Sequence, residues 1–343
     1  MKMKFLLITI LSLIVSTYLF PQSKNVSKVG TTAATFLEIG VGATASGMGG
    51  AYVSIANDAS ALYWNPAGIA RLDQNQVVFT HTNWIASTNL DYAALVLPLG
   101  ELGNIGLSYT SLSMPDMAVT TVLMPQGTGE YFSAGDLALG LSYARTITDR
   151  FAIGFTAKYI QENIWHETGT AFAIDAGTSF KTDLLGGMVI GASISNFGSS
   201  MQLSGIDTRT FARVDPTLLG TNDQVPYDIE LGTWNLPLLF RIGVSASPIK
   251  TENYKWTIAI DALHPNDNYE SMNVGTELSY QGFLFIRGGY QSLFLPDGEG
   301  GLSFGIGVNT KELFSSNIVR FDYAYRDFGR LNGVHYFSVG ISF

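Results

Sequence analysis

The chain has 343 residues, of which 46% are hydrophobic, 12% aromatic and 14% charged, with 37 Gly, no Cys and a formal net charge of −9. The charged fraction lies well below the roughly 25% of an average soluble domain, and the absence of Cys excludes a disulfide framework and thiolate metal sites. The acidic balance excludes the cationic footprint of a nucleic-acid binder, which leaves an all-β protein, a membrane protein or both.

The chain opens with MKMKFLLITILSLIVSTYLFPQS, in which Lys2 and Lys4 precede an apolar run from Phe5 to Val15 and small and polar residues follow. This is the order of a secretory signal, and the run is shorter than the ~20 residues that span a bilayer as a helix. Cleavage is expected near Gln22. It removes two Lys and no acid, so the net charge moves from −9 to −11. No Cys follows to carry a lipid.

Residues 23–74 come next. Thr35 to Asp73 holds too many Gly and Ala for a strand, and Pro66 interrupts it. Within it, NDASALYWNPAGIA predicts a short helix capped by Asn57 or Asp58 and broken before Pro66.

From residue 75 onward the hydrophobic period is two. Leu137, Leu139, Leu141 and Tyr143 alternate with Ala138, Gly140 and Ser142, and Met272, Val274, Thr276, Leu278 and Tyr280 with Gly275, Glu277 and Ser279. Two-faced segments of this kind are half-buried strands. They are predicted at 76–85, 89–98, 104–112, 135–146, 150–162, 170–181, 187–196, 237–248, 253–263, 269–281, 283–291, 301–310, 317–326 and 333–343, about fourteen in all.

Which face meets what is decided by the non-apolar face. In a soluble sandwich it would be rich in Lys, Glu and Thr; here Gly, Ala and Ser dominate, with isolated charges at Lys158, Asp175, Arg241, Asp261, Glu277, Arg287, Arg320, Asp322 and Arg326. Small residues suit the crowded inside of a curved sheet, and isolated charges there must find partners. Tyr143, Tyr159, Trp256, Tyr280, Tyr290, Tyr323 and Tyr325 form a pattern of aromatic girdles.

The expected fold is therefore an all-β transmembrane antiparallel β-barrel of about fourteen strands over residues 75–343. Residues 23–74 would fill it as a plug. The charges are read as a neutralised network that holds the barrel's shape, with Asp322, Arg320, Arg326, Arg287, Glu277 and Asp261 pairing across neighbouring strands; a selective path is the other reading. With the first strand running outward, the short connections fall on the periplasmic side and the long ones, 113–134 and 197–236 among them, outside.

The 197–236 connection mixes Phe211, Leu218, Leu219, Tyr227, Leu231 and Trp234 with turn formers. It reads first as a self-packed extracellular cap and second as a docking surface for cargo or a mouth for a ligand. The last strand, GVHYFSVGISF, sets Phe337, Val339, Ile341 and Phe343 on one face and Tyr336, Ser338, Gly340 and Ser342 on the other. It is expected to close the barrel against the first strand. Its alternating face and terminal Phe343 resemble the sorting signal read by the barrel-insertion machinery.

The stretch GMGGAYVSIANDASALYWNPAGIA carries a more specific likeness. Gly47, Met48, Gly49, Gly50 and Ala51, then Asp58 and Ala59, then Asn65, Pro66, Ala67 and Gly68 resemble the N-terminal segment of FadL-like outer-membrane proteins. They resemble more closely the PorV/PorQ family of Bacteroidota-type bacteria. The resemblance implies fourteen strands, an N-terminal hatch, and residence in the outer membrane of a Gram-negative bacterium among its lipids and lipopolysaccharide. It also implies one of two functions. In PorV-like proteins this is type IX secretion, in which the barrel binds the C-terminal signal domains of cargo leaving the translocon and carries no chemistry. In FadL-like proteins it is passive uptake of a hydrophobic ligand. The FadL transporters have larger loops, so the mostly short loops here favour the PorV/PorQ side.

An enzyme is the least supported class. His81, His166, His264 and His335 have no ligand partners at metal spacing. His335 and Ser338 stand three apart on a strand and so point to opposite faces. No cofactor and no nucleic-acid partner is expected.

Overall fold

A computed structural model describes residues 28–343 except 214–216, 218–223, 297 and 311–316. The expected signal at 1–22 and two loop residues, Leu218 and Leu219, lie outside the described residues.

Fourteen strands form the wall. They are β1 (Gln76–Asn83), β2 (Asn89–Pro98), β3 (Asn104–Ser113), β4 (Ala134–Thr146), β5 (Phe151–Ile164), β6 (Glu167–Lys181) and β7 (Val189–Gly198), then β8 (Leu239–Lys250), β9 (Tyr254–Pro265), β10 (Ser271–Tyr280), β11 (Leu284–Leu293), β12 (Leu302–Asn309), β13 (Ile318–Asp327) and β14 (Gly333–Ser342). Each pairs antiparallel with its neighbours in sequence, and β14 returns to β1 in unbroken register from Gln76↔Ser342 to Asn83↔His335. The sheet is thereby closed, which removes the edges that a bilayer cannot satisfy. Short turns lie at one end, and the long connections 114–133 and 199–238 lie at the other. The predicted strands match in number and place. The first ends at Asn83 rather than 85, where Ala86 and Ser87 take positive φ and turn the chain.

The two faces separate as the period demands. Outward side chains such as Leu141, Phe155, Phe172, Ile242, Ile286, Phe304, Phe321 and Phe337 are exposed. An apolar band this continuous around a closed sheet faces lipid. Inward positions are small or polar on most strands. β2 is the exception: its inward Leu90, Tyr92, Ala94 and Val96 are fully or nearly fully buried, because they pack on chain that lies inside the barrel.

That chain is residues 28–75. It makes only short elements: a 3₁₀ turn at Thr35–Glu38, one helical turn at Ala43–Gly47, another at Ala61–Trp64, and a 3₁₀ turn at Pro66–Arg71. Val41, Met48, Tyr52, Leu62, Tyr63, Trp64 and Ile69 form one apolar cluster with the inward face of β2. Two local expectations change here. Asn57 caps nothing, whereas Asp58 accepts from Ser60 N at 2.9 Å, one residue ahead of the Ala61–Trp64 turn. Pro66 does more than end a helix: Asn65 caps the next one by accepting from Ala67 N at 3.1 Å, with Pro66 at its first position.

Candidate functional site

The interior segment is irregular, so its backbone groups need partners that a helix or strand would have supplied. Inward polar side chains of the wall supply them. Asp261 on β9 accepts from Tyr52 N at 2.7 Å and Val53 N at 2.9 Å. Ser338 Oγ on β14 accepts from Ala43 N at 2.8 Å, Ser193 Oγ donates to Trp64 O at 3.0 Å, and Asn104 Nδ2 donates to Leu72 O at 2.8 Å. Asn65 donates from Nδ2 both to Val53 O at 2.8 Å and to Thr178 O of β6 at 2.9 Å. One side chain thus ties two parts of the segment to the wall.

The wall's glycines make room for it. A Cβ on Gly154 would fall on the backbone of Pro66 and Ala67, one on Gly191 on Val53, one on Gly275 on Met48, and one on Gly289 on Gly49 and Met48. These glycines lie on β5, β7, β10 and β11, so they trace the path of residues 48–67 around the inner wall. The GMGG motif meets them: Gly47 abuts Gly305, and Gly49 and Gly50 take φ of +64° and +73°, where a side chain is strained. Gly68 leaves room for the Ala56 carbonyl. Asp58 also accepts from the Ser60 and Tyr52 hydroxyls.

The nine inward charges divide into three groups. Glu277 and Arg287 are direct cross-strand partners and pair at 2.7 Å. Arg287 reaches Asp322 at 2.8 Å, and Asp322 also holds Arg320 at 2.8 Å. Lys158 and Asp175 form a separate pair at 2.6 Å. The remaining three, Asp261, Arg241 and Arg326, do not join the expected ion-pair network. Asp261 is occupied by the two N–H groups above. Arg241 lies over the rings of Tyr63 at 5.5 Å and Trp64 at 5.3 Å. Arg326 stacks 4.1 Å from the Phe328 ring, four residues along β13 from Asp322. The interior segment and the loop ring took their place as partners.

On the last strand Phe337, Val339 and Ile341 face outward opposite His81, Phe79 and Val77. Tyr336 points inward and is fully buried. Phe343 follows the strand, exposed, with its N–H on Asn75 O at 3.0 Å.

The described residues of the long-loop end are more open than the self-packed cap that the sequence suggests. Arg209–Ala212 and Val225–Asp228 form a two-stranded ribbon paired with nothing else among the described residues. A free ribbon has two open faces, so Phe211 and Tyr227 are exposed, as is Trp234. Among the described residues of the connection, Met201, Leu236 and Pro237 are buried, and Met201 and Leu236 pack against Phe36 and Leu37. A second exposed apolar tip was not singled out by sequence: Val122, Leu123 and Met124 in the 114–133 connection, with Val122 98% exposed. Three adjacent apolar residues between Thr121 and Pro125 were the available signal.

Beneath these loops a cavity of about 480 Å³ lies beside Glu38, Trp84, Arg326 and Phe328. Burial, and after it the charge of Asp267, push the Glu38 carboxyl from 4.5 up to about 7, with Arg241 pulling the other way. The folded chain therefore keeps a proton that the unfolded chain has lost between these values. The group's contribution to stability is greatest below about pH 4.5 and falls as pH rises toward about 7. The unfolding midpoint in detergent is expected to drop between about pH 5 and about pH 8, with a smaller drop in Glu38→Gln. An identical drop in the variant would assign the effect to another group.

Among the described residues no group of three or more His, Cys, Asp or Glu lies close enough together to hold a metal ion.

A family model described as type IX secretion system protein PorV matches residues 22–204, just over half of the chain. The chain belongs to the PorV family. The match includes the whole GMGG-to-NPAG stretch and runs from there through β7. No curated protein matches the chain. Among solved structures, the toluene transporter TodX of Pseudomonas putida is 14% identical with a TM-score of 0.55, covering 88% of this chain and 97% of its own. A FadL homologue of Pseudomonas aeruginosa is 10% identical at TM-score 0.51, covering 88% and 98%. The toluene transporter TbuX of Ralstonia pickettii is 12% identical at 0.51, covering 88% and 97%. At these identities the likeness concerns fold alone. This PorV-family chain has the fold of a FadL-like outer-membrane barrel.

Proposed function

We propose that this chain serves type IX-like protein secretion as a non-enzymatic accessory barrel, in the outer membrane of a Bacteroidota-type Gram-negative bacterium. On this reading its signal is cleaved near Gln22 and residues 23–74 act as a plug. The long-loop end binds the C-terminal signal domains of secreted cargo. One observation carries the reading beyond family membership: the lumen is packed with the chain's own residues, while large apolar side chains stand exposed on the outer connections. A barrel that fills its bore and bares its loops is better suited to docking than to conduction.

A FadL-like passive transporter of hydrophobic small molecules is the second reading. It is favoured by the cavity beside Phe36, Ile39, Trp84 and Phe328.

The experiment is a pull-down of the detergent-solubilised protein from its native membrane, followed by mass spectrometry. Secreted proteins with C-terminal β-sandwich signals, or a very large translocon barrel, support docking. A barrel that brings only lipids or fatty acids supports transport. On the first reading, a triple change Leu123→Ser, Phe211→Ser and Trp234→Ser is expected to lower cargo recovery about tenfold or more, as for loss of interface anchors, with the barrel still heat-modifiable on a gel. Unchanged recovery would remove these loops from the docking surface.

A further inference from the structure

The short-turn mouth of the barrel encloses a cavity of about 640 Å³ between the interior segment and the ends of β6, β8 and β9. Four cations line it: Arg71 from the interior segment, and Lys181, Lys250 and Lys255 from the strand ends. Lys250 and Lys255 are direct cross-strand partners, a placement that is unfavourable for like charges. Deeper in the lumen, Lys158, Arg287 and Arg320 each have a carboxylate within 2.8 Å. At the mouth that pairing stops. Among the described residues none of the four cations makes an ion pair. Arg71 donates only to neutral acceptors, Ser179 Oγ at 3.0 Å and the Arg150 carbonyl at 3.0 Å. Among the described residues Asp183 is the single carboxylate on the cavity wall, and Arg150 holds it at 2.6 Å. The hydroxyls of Ser245, Ser247 and Thr257 add neutral donors around the same space. In a chain of net charge −9, unpaired cations around a concave, low-dielectric wall focus a positive potential there.

The other side of the wall bears on what the ligand is. β8 carries a one-residue bulge between Ala246 and Ile249. Ser245 and Ala246, at that bulge, also border an apolar groove of about 500 Å³ on the lipid face, together with Leu185, Met188 and Ile258. A cationic, hydroxyl-lined cavity and an apolar groove thus share two residues at the membrane rim. We propose that this mouth is a binding site for the phosphate or carboxylate head of an amphiphile, whose acyl chain lies along the groove on the lipid side of β8. The site is at the end opposite the loops and does not depend on cargo docking.

The test is calorimetric titration of the full chain in neutral detergent with hexyl phosphate, inorganic phosphate and hexanol. Hexyl phosphate is expected to bind, and to weaken about tenfold as salt rises from about 50 to about 500 mM, since screening acts on exposed charges. Inorganic phosphate and hexanol, each lacking half of the ligand, bind more weakly. The triple variant K181Q/K250Q/K255Q is expected to lose the hexyl phosphate signal while keeping its heat-modifiable gel band. The salt series uses the unaltered protein, so it stands even if the variant fails to fold. Salt-independent binding, or a folded triple variant with unchanged affinity, overturns the proposal. Inorganic phosphate binding as tightly as hexyl phosphate overturns the acyl-chain part. Lipid extraction separates the sources: a phospholipid retained by the unaltered protein and lost by the variant identifies the bilayer, and none retained identifies a free amphiphile.

Discussion

Arg287→Met is expected to be the most damaging single change to the wall, lowering the unfolding free energy by about 3–5 kcal/mol, the range for breaking a buried pair from one side. The Arg287 side chain is fully buried and is shared by Glu277 and Asp322. Without it Glu277 loses its only ion pair among the described residues, and the buried Asp322 is left with Arg320 alone. Asp322→Asn is milder, about 1–3 kcal/mol. It leaves Arg287 on Glu277, and Arg320 keeps its hydrogen bond to Thr44 at 3.1 Å and its place 4.6 Å from the Phe285 ring. Replacing Arg320 and Asp322 together is expected to cost less than the sum of the two single changes, because they share one contact. The measurement is urea unfolding in detergent, read by the loss of the compact gel band. Equal losses for Arg287→Met and Asp322→Asn, or strict additivity of the Arg320 and Asp322 replacements, would sink the network as described.

The second large effect concerns the interior segment. Gly289→Leu places a side chain where Gly49 N and the Met48 carbonyl carbon now lie. Backbone on both sides cannot yield as a side chain does, so the cost exceeds the ~1–3 kcal/mol of ordinary overpacking. The segment is expected to leave its bed while the fourteen strands remain closed. In a planar bilayer the variant should then conduct ions at a level that the unaltered protein does not, and protease should reach residues 28–75. The neighbouring Gly288→Leu is the control. It faces outward, and its nearest foreign atom lies 4.0 Å from the added Cβ, so conductance and protection should match the unaltered protein. If Gly289→Leu stays closed and protected, the segment is not held by the glycine wall.

The strands were legible because their signal is local. Two-residue alternation in stretches such as Phe151–Tyr159 or Met272–Tyr280 needs no knowledge of neighbours, and register followed from tight turns such as Gln281–Gly282. The Glu277–Arg287 pair was within reach for the same reason: a short hairpin sets both residues opposite each other. Arg287 with Asp322 was harder. They sit on β11 and β13, and the contact crosses β12 only because Gly305 and Gly307 leave space, a Cβ on Gly307 falling on Asp322. The engagement of Asp261, Arg241 and Arg326 was not legible. Asp261 and Arg241 meet backbone amides and rings of a segment whose path is set by long-range fit, not by its own periodicity, and Arg326 turns to the Phe328 ring just past the end of its strand. The same fit explains β2, where Leu90, Tyr92 and Val96 make the inward face apolar against the barrel rule.

The glycines of the inner wall also bear on how the molecule is made. Gly154, Gly191, Gly275 and Gly289 leave a channel shaped to a particular stretch of backbone, and that stretch precedes every strand in the chain. The seam that closes the sheet joins β1 to β14. A finished cylinder offers no easy way to thread so irregular a stretch into such a channel, whereas strands added one after another can be wound around it. Wound in that order, the wall would take its girth from the segment, which would act as a mandrel until the seam is sewn.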